Sequence, residues 1–382
     1  FTVVDVTDTS STQVLYESST NFNSNTGSFI IYIISGELLI VNSSSGNLNN
    51  KYTISSGRQL ISIRIRTGLD TNTYTDVYIN GTQITLTTAT GNGNSVLSDQ
   101  VLYLNARAGT SLGFTGKRQA SIFYPSDQSS NRVGIETNMM DYYGLLFLDL
   151  YPNAAAAYSL RKLRYAYTGN CIRVRRSSDS TELDIGFVGN VLDTASLLSF
   201  TGSGDGFVTI RYDQSGNANN KTQTTASYQP QIVNSGSVIL ENGKPCIDFA
   251  LANHTMDFTT VNTQTLVAVQ KTTVTSGIAM SFSRAGDFSL RTLNGNYLTN
   301  NASATFPVTS LHVNGLTSPV TGTAQHLAFA INASGYDLSI FSGTFLDRWW
   351  YGTQQEAILY TTDKTSDRAG MQTNVNNYYG IY

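Results

Sequence analysis

Both tryptophans of the chain stand next to each other, in the segment Arg348-Trp349-Trp350-Tyr351. Neighbouring residues of a β-strand point to opposite faces, so we expect one ring in the core and the other at the surface. Aromatic faces suit amphipathic ligands, and an exposed ring could therefore stack on a sugar. We predict a glycan-binding site at these four residues, with packing between domains or subunits as the alternative.

Two polar loops resemble ligand sites only superficially. The segment from Asp213 to Asn219 has oxygen-bearing side chains at alternate positions, but it lacks the further acids and the terminal Glu of a calcium loop. An Asx-turn, in which Asp213 bonds its own backbone, is therefore favoured. The glycine-rich run from Gly202 to Gly206 has neither the Lys nor the strand-loop-helix context of a phosphate loop, so we expect a hairpin.

The residues that usually bind metals are few and scattered. His254, His312 and His326 are the only histidines, and we expect them to be structural or surface residues. Cys171 and Cys246 are too few for a zinc site, which takes about four nitrogen or sulfur ligands. Two free, strand-buried thiols are favoured over a disulfide, although pairing stays open. We predict no metal and no cofactor.

The composition excludes several classes of partner. Only 13% of the 382 residues are charged, against about 25% in a typical protein, and the net charge is −3. A chain without a basic surface cannot neutralise phosphates, so we expect no nucleic acid partner. No apolar stretch approaches the roughly 20 residues of a membrane-spanning helix, and we expect no membrane insertion.

An internal repeat is the strongest signal of domain organisation. Ile122–Gly144 and Ile358–Gly380 are identical at 11 of 23 positions without a gap. Each copy reads as a strand, a turn with Asp as helix N-cap, and a short helix that ends at Gly. Because each copy closes a domain, we predict domains at 1–147 and 148–382.

The strand that precedes this closing element also recurs. Thr2–Val6 resembles Thr265–Val269, an alternating strand that has more than 100 residues of the second domain ahead of it. We therefore expect the first domain to lack its opening strands, and the natural polypeptide to extend before Phe1.

Outside the repeated elements, the sequence has the pattern of short antiparallel strands. Runs rich in Ile, Val and Tyr alternate with Gly, Asn and Ser, which favours an all-β fold of tandem β-sandwiches. Asn80-Gly81 predicts a type I′ hairpin turn. Ile61–Arg66 alternates apolar and polar residues, so one face should be buried. A few short helices are expected, at Ala154–Tyr167, at Leu192–Phe200 and in the two closing elements.

The sequence between Ala157 and Phe249 contains motifs that are specific to one family. The runs AYSLRKL and YDQSGN, the latter at Tyr212–Asn217, resemble the catalytic sandwich domain of alpha-L-arabinofuranosidase B. The sheet that follows is similar to the laminin-G and concanavalin A-like modules common in bacteriophage tail and other virion proteins. The resemblance implies that both domains are concanavalin A-like jelly rolls.

The chemistry of that family does not carry over to the matching positions. A retaining glycosidase needs two carboxylates about 5–5.5 Å apart. In the family, the nucleophile is a Glu in an Asp-x-Glu-Asn stretch, and the acid is an Asp after paired glycines. The corresponding stretch Ser289–Asn296 contains no carboxylate, and Ser342–Gln355 offers only Asp347. The first domain has none from Asn105 to Ala120.

These observations lead to a prediction of function with two alternatives. We predict a non-enzymatic component of a phage virion, as a tail fibre, tail tip or head decoration, with a structural or receptor-binding role. Its partners would be other virion proteins, copies of itself in a homo-oligomer, and a host surface glycan. The first alternative is a secreted arabinofuranosidase-type glycoside hydrolase, and the second is a bacterial surface adhesin.

Overall fold

The chain folds into two compact units, Phe1–Leu145 (unit 1) and Leu146–Tyr382 (unit 2). The computed structural model describes residues 1–19, 27–43, 48–66, 75–85, 87–90, 97, 99–249, 253–274, 278–283, 290–293, 296–297, 310–317, 325–342 and 349–382. Within these ranges strands predominate and four α-helices occur, which confirms the predicted all-β class. No helix in this part of the chain is long and apolar enough to span a membrane.

Unit 1 is a sandwich of two antiparallel sheets followed by one helix. Its elements are β1 (Thr2–Val6), β2 (Gln13–Ser18), β3 (Ser28–Ile34), β4 (Glu37–Ser43), β5 (Leu48–Thr53), β6 (Gly57–Ile65), β7 (Thr75–Ile79), β8 (Thr82–Gln83), β9 (Thr88–Thr90), β10 (Leu102–Leu104), β11 (Gly116–Ser121) and α1 (Arg132–Tyr142).

The two sheets of unit 1 pack face to face through alternate side chains. One sheet has the strand order β11-β1-β6-β7-β8 and the other has β10-β2-β3-β4-β5-β9. Side chains that lie two residues apart on a strand share a face, and these form the core. Its members include Val4, Val6, Leu15, Ile33, Leu38, Ile40, Ile61 and Val77. The predicted hairpin at Asn80-Gly81 is confirmed, with φ of 52° and 83°.

Unit 2 is larger and has many short strands. Its elements are α2 (Phe147–Leu150), β12 (Ala156–Ser159), β13 (Ile172–Arg176), β14 (Glu182–Ile185), β15 (Phe187–Val188), β16 (Val191–Leu192), α3 (Thr194–Thr201), β17 (Gly206–Arg211), β18 (Lys221–Thr222), β19 (Gln231–Asn234), β20 (Ser237–Val238), β21 (Leu240–Glu241), β22 (Lys244–Pro245), β23 (Ile247–Asp248), β24 (Met256–Thr272), β25 (Ile278–Met280), β26 (Phe282–Ser283), β27 (Arg291–Leu293), β28 (Asn296–Tyr297), β29 (Ser310–Val313), β30 (His326–Phe341), β31 (Gly352–Tyr360) and α4 (Arg368–Tyr379).

Four neighbouring strands, in the order β12-β31-β24-β30, form the centre of unit 2. One face of this sheet packs against α4, and the other face lies on the main core. The side chains on the α4 side include Val267, Val269, Phe329, Ile358, Met371 and Val375. Those on the opposite side include Leu266, Ala268, Ala328, Ala330, Ala357 and Leu359. Both faces of the sheet are therefore buried.

The two copies of the repeat have the predicted order of strand, turn and helix. The helices α1 and α4 start at Arg132 and Arg368, equivalent positions of the repeat. The predicted capping by Asp is only partly confirmed: Asp367 stands at the N-cap of α4 but forms no capping bond there, and the N-cap of α1 is Asn131. Asp127 instead accepts a bond from the Ser129 backbone N–H at 2.9 Å, as Asp363 does from Thr365 at 2.7 Å. Each forms an Asx-turn ahead of its helix.

Four other local predictions are wrong. Thr2–Val6 corresponds to Ala268–Thr272 and not to Thr265–Val269, because Val6 pairs with Gly116 as Thr272 pairs with the equivalent Gly352. The segment predicted as a helix from Ala154 contains the strand β12, whose four residues are all buried because it pairs with β31. Gly202–Gly206 is not a hairpin, since it links α3 to β17. Ser62, expected on the wet face of its strand, is 3% exposed. Helix α3 confirms the helix predicted near Leu192, and its N-cap Asp193 accepts from the Ser196 N–H.

Candidate functional site

The loop after β17 is joined to β12 by buried hydrogen bonds. Asp213 is buried, and its carboxylate accepts backbone N–H groups of Ala157, Ser215 and Asn219 at 2.8, 2.9 and 3.0 Å. The neighbouring Gln214 accepts from the Leu163 N–H at 2.7 Å. The predicted Asx-turn is confirmed. Because the carboxylate oxygens are occupied by N–H donors, this loop is not arranged to hold a cation.

A buried ion pair joins β12 to β31 and α4. The Arg161 guanidinium donates to both oxygens of Glu356, at 2.8 and 2.9 Å. Ser159 and Tyr379 also donate to this carboxylate, at 2.8 and 3.3 Å. Burial opposes the charge on Arg161, but the adjacent Glu356 raises the guanidinium pKa above its usual value. With four donors, Glu356 has a structural role.

A second buried cluster contains two cations. Lys221 and Arg211 are each 1% exposed, and the Arg211 guanidinium donates to Gln354 at 2.6 Å. The Lys221 ammonium lies 4.4–5.2 Å from the ring centres of Tyr158, Phe258, Phe282 and Phe341. Burial, and then the charge of Arg211, lowers the pKa of Lys221 well below its usual value.

Ser281 joins the two stretches to which the resemblance assigns the catalytic carboxylates. Its backbone N–H donates to the Leu290 carbonyl at 2.9 Å, and its own carbonyl accepts from the Ser342 N–H at 2.8 Å. Leu290 lies in the first stretch and Ser342 begins the second. The described ends of two segments more than 50 residues apart thus lie side by side.

This junction has a buried polar side and an aromatic floor. The Ser281 hydroxyl donates to Gln270 at 2.7 Å, and Gln270 pairs with His326 across β24 and β30. Phe282 and Phe341, the neighbours of Ser281 and Ser342, are in edge contact with ring centres 5.1 Å apart. Below these two rings lies Lys221. All of these side chains are at most 1% exposed, so the junction itself lies in the core.

The tryptophan cluster does not offer the exposed ring that was expected. Trp350 is fully buried and Trp349 is 8% exposed. The Trp350 backbone N–H donates to the Ser342 hydroxyl at 3.1 Å, so the two ends of the 342–350 segment are tied together. Tyr351 is half-buried, and Arg348 and Asp347 lie outside the described residues. Glycan binding by these residues stays a prediction.

The remaining candidate residues are structural. His254 and His326 are buried and His312 is half-buried; burial lowers the pKa of all three. Cys171 and Cys246 are buried and free. Within the described ranges, no group of three or more His, Cys, Asp or Glu side chains could hold a metal ion. Sequence reasoning missed Ser281, because a single Ser between two short strands carries no local signal.

Comparisons with known proteins point to one family of enzymes. The family model "Alpha-L-arabinofuranosidase B, catalytic" matches residues 149–284. A probable alpha-L-arabinofuranosidase B of Aspergillus flavus is 42% identical over 74 residues, which are 19% of this chain and 15% of that protein. The chain thus matches less than a fifth of this relative's length.

Solved structures give looser similarities. A GH54 α-L-arabinofuranosidase soaked with a cyclic sulfate inhibitor aligns over 60% of this chain and 63% of its own, at 16% identity and a TM-score of 0.40. The LG1–3 region of the laminin alpha2 chain aligns over 94% and 91%, at 10% identity and a TM-score of 0.21.

The matches correct the predicted function. The prediction of a non-enzymatic phage virion component, and with it the virion location, is wrong, because the matched family is that of a glycoside hydrolase catalytic domain. The matched residues 149–284 end before both stretches, so the departure from the family's carboxylate pattern there does not weaken the match. Residues 149–284 of unit 2 are similar to the catalytic domain of alpha-L-arabinofuranosidase B.

Proposed function

We propose that unit 2 is a glycoside hydrolase of the arabinofuranosidase type, which releases arabinofuranosyl residues from a glycan. The observation that carries this proposal is the family match over residues 149–284. The match includes Asp213 and the strand β12 that its loop holds. The matching sequence and the local structure that it forms both support the proposal.

The junction at Ser281 supports a location for the active site. The stretches 289–296 and 342–355 are those to which the resemblance assigns the two catalytic carboxylates. Their described ends are both bonded to the backbone of Ser281, at 2.9 and 2.8 Å. Functional residues are often carried on loops that a fixed framework holds, and the Ser281 junction holds the described ends of both stretches.

Hydrolysis of a glycosidic bond requires two carboxyl groups in different protonation states. One protonates the leaving oxygen, and the other attacks the sugar or activates a water. Asp347 belongs to the second stretch, and Asp287 precedes the first stretch by two residues. From their sequence positions alone we assign these roles to the pair Asp287 and Asp347, with Asp347 as the acid; both lie outside the described residues.

The test is release of 4-nitrophenol from 4-nitrophenyl α-L-arabinofuranoside by the full chain and its variants. We expect Asp347→Asn and Asp287→Asn each to lower kcat/KM by about 100-fold or more, because each removes a proton-transfer or nucleophilic group. Asp179→Asn serves as the control, since Asp179 is an exposed hairpin residue paired with Arg176. Full activity is expected there.

Two results would count against the proposal. If the unmodified chain released no nitrophenol or arabinose at millimolar substrate, hydrolysis would be excluded for unit 2. If hydrolysis occurred but survived both substitutions, the assignment of the carboxylates would be wrong, while the activity itself would stand.

A further inference from the structure

Unit 2 contains a polar pocket between the segment that leads into β12 and the loop after β17. Its volume is about 380 Å³, which lies within the range of about 300–1,000 Å³ typical of ligand pockets. The pocket shares no residue with the Ser281 junction. Its lining includes Pro152, Asn153, Arg164, Ser215, Asn217 and Thr361.

Hydrogen bonds within unit 2 hold the walls of this pocket in place. The Asn217 side-chain amide donates to the carbonyls of Ala154 and Ala155, both at 3.0 Å. The Arg164 guanidinium donates to the Ser215 carbonyl at 3.1 Å, which joins the segment after β12 to the loop after β17. Because these bonds form without a ligand, the pocket is organised in advance, and less entropy is lost when a ligand binds.

Arg164 gives this pocket a positive charge that is available to a ligand. Its side chain is exposed, and among the described residues it donates to the neutral Ser215 carbonyl and forms no ion pair. By contrast, the guanidinium groups of Arg161, Arg173 and Arg176 all donate to carboxylates of unit 2. A guanidinium presents five N–H donors in a planar fork that matches a carboxylate. Arg164 therefore keeps most of its donors for an anionic ligand.

The other polar side chains of the pocket are neutral and suit hydroxyl groups. Asn153, Asn217 and Thr361 are exposed. The Asn217 amide nitrogen is bonded to the protein, whereas its side-chain oxygen has no partner in the part of the chain that the structure describes. Amides and hydroxyls both donate and accept hydrogen bonds, as sugar hydroxyls require. One cation beside neutral groups fits a sugar with one carboxylate better than a phosphate ester, whose charge is about −1.5 to −2.

We propose that this pocket binds a uronic acid residue of a glycan. The carboxylate of the sugar pairs with Arg164, and its hydroxyls bond to Asn153, Asn217 and Thr361. The choice of a glycan as ligand rests on the proposed function of unit 2. The pocket shares no residue with the stretches 289–296 and 342–355, so it holds an acidic part of the glycan and takes no part in hydrolysis.

The test is calorimetric titration of the full chain with trigalacturonate at low salt. We expect saturable binding that Arg164→Gln weakens by about 10-fold or more, because the charged fork is lost. Lys162→Gln is the matched control: it removes a positive charge two residues away, and Lys162 is not among the lining residues. We expect the control to change the Kd by less than about 2-fold, since an exposed charge outside the pocket is screened.

A second variant tests the neutral side of the pocket. Asn153 has a left-handed backbone with φ of 67°, so Asn153→Gly removes the amide without straining the chain. We expect it to weaken binding by about 3-fold or more, because a hydrogen bond to the sugar is lost. Unchanged affinity in both Arg164→Gln and Asn153→Gly would overturn the proposal.

Two competing ligands distinguish the kinds of site. If the methyl ester of trigalacturonate bound as tightly as the acid, the carboxylate would have no role. If inorganic phosphate displaced trigalacturonate at equal concentration, the pocket would be a general anion site. Either result would overturn the proposal. Asp347→Asn should bind trigalacturonate as the unmodified chain does. A chain that binds trigalacturonate but releases no nitrophenol would contradict the hydrolase proposal alone, and the reverse result would contradict this pocket alone.

Discussion

Burial of Lys221 disfavours the charged form of its side chain. Four aromatic rings surround its ammonium, and its hydrogen-bond partner is Gln354 at 3.4 Å. Contacts with ring faces offset part of the cost of burying a cation, but no carboxylate among the described residues forms an ion pair with Lys221. The side chain is therefore less favourable for folding than an apolar residue of similar volume.

We predict that Lys221→Met stabilises unit 2 by about 2 kcal/mol at neutral pH. The folded-state pKa lies below the unfolded value, so the unfolded chain binds the extra proton between the two, and wild-type stability rises with pH through that window. Urea unfolding at pH 6 and pH 10 measures the difference. The gain in the free energy of unfolding should be smaller at pH 10 than at pH 6. Lys162→Met serves as the control, because Lys162 is only half-buried. A pH-independent gain would contradict the assignment.

Glu136 in α1 is buried, and burial raises the pKa of its carboxyl in spite of the neighbouring Arg132. Its counterpart in the repeat is Gln372, which accepts from Arg368 at 2.9 Å without a charge. We predict that Glu136→Gln stabilises unit 1 at pH 7 by about 1 kcal/mol.

The pH dependence of this effect follows from the raised pKa of Glu136. The free energy of unfolding of the wild type is highest at acidic pH, where Glu136 is protonated in both states. This stability is lost as the pH rises through the folded-state pKa of Glu136. The benefit of Glu136→Gln, measured by thermal unfolding, should therefore vanish near pH 4. Glu37→Gln is the control, since Glu37 is a partly exposed partner of Lys51. An effect of equal size at pH 4 and pH 7 would refute the prediction.

At the scale of the element, two glycines mark the start of the closing strand in each unit. Gly116 and Gly352 are equivalent positions with φ of 157° and 152°. A Cβ atom at Gly116 would collide with the Asp5 carbonyl oxygen on β1, and one at Gly352 with that of Lys271 on β24. Close approach of two backbones is the reason for glycine at both places.

We predict that Gly116→Ala destabilises unit 1 by about 2 kcal/mol or more, because backbone atoms of β1 have to move. Gly134→Ala is the matched control. Gly134 lies exposed in α1, and a Cβ atom added there would meet nothing within 4 Å, so this change should stabilise by about 0.5–1 kcal/mol. Thermal unfolding of both variants gives the comparison. A neutral Gly116→Ala would show that the two strands can separate.

Local patterns predicted the elements that depend on local chemistry. The repeat predicted both closing helices, and Asn80-Gly81 predicted its hairpin, since turn geometry is set by the residues in the turn. The helix expected from Ala154 failed because pairing of β12 with β31 outweighs the helix propensity of alanine. The resemblance named two site stretches, but their meeting at Ser281 depends on tertiary contacts with no local pattern.

At the scale of the whole molecule, each unit has a hydrophobic core of its own. We predict that residues 146–382 expressed alone remain folded, and that they keep the arabinofuranosidase activity proposed for the full chain within a factor of about two. Domains with separate cores usually fold separately. Calorimetry of the full chain and of the fragment is the measurement. A fragment that shows no cooperative transition would contradict the prediction.

The scarcity of carboxylates is a weaker guide to function than the framework that surrounds them. The departure from the family's carboxylate pattern in the two matching stretches favours loss of catalysis, whereas the match over 149–284 favours the glycoside hydrolase alternative. The match covers residues 149–284 and is therefore spread over many more positions than the two stretches. Homo-oligomerisation, which no observation of the single chain addresses, stays a prediction.

The bonds to Glu356 have a consequence for how the protein is made. Their donors come from Ser159 and Arg161, almost 200 positions earlier, and from Tyr379, 23 positions later. Contacts of such sequence separation slow folding, because a long loop must close before they form. Unit 2 therefore cannot bury this carboxylate until the ribosome has passed residue 379. During synthesis its central sheet exposes the apolar face that α4 will cover, and that interval is when chaperones are most needed.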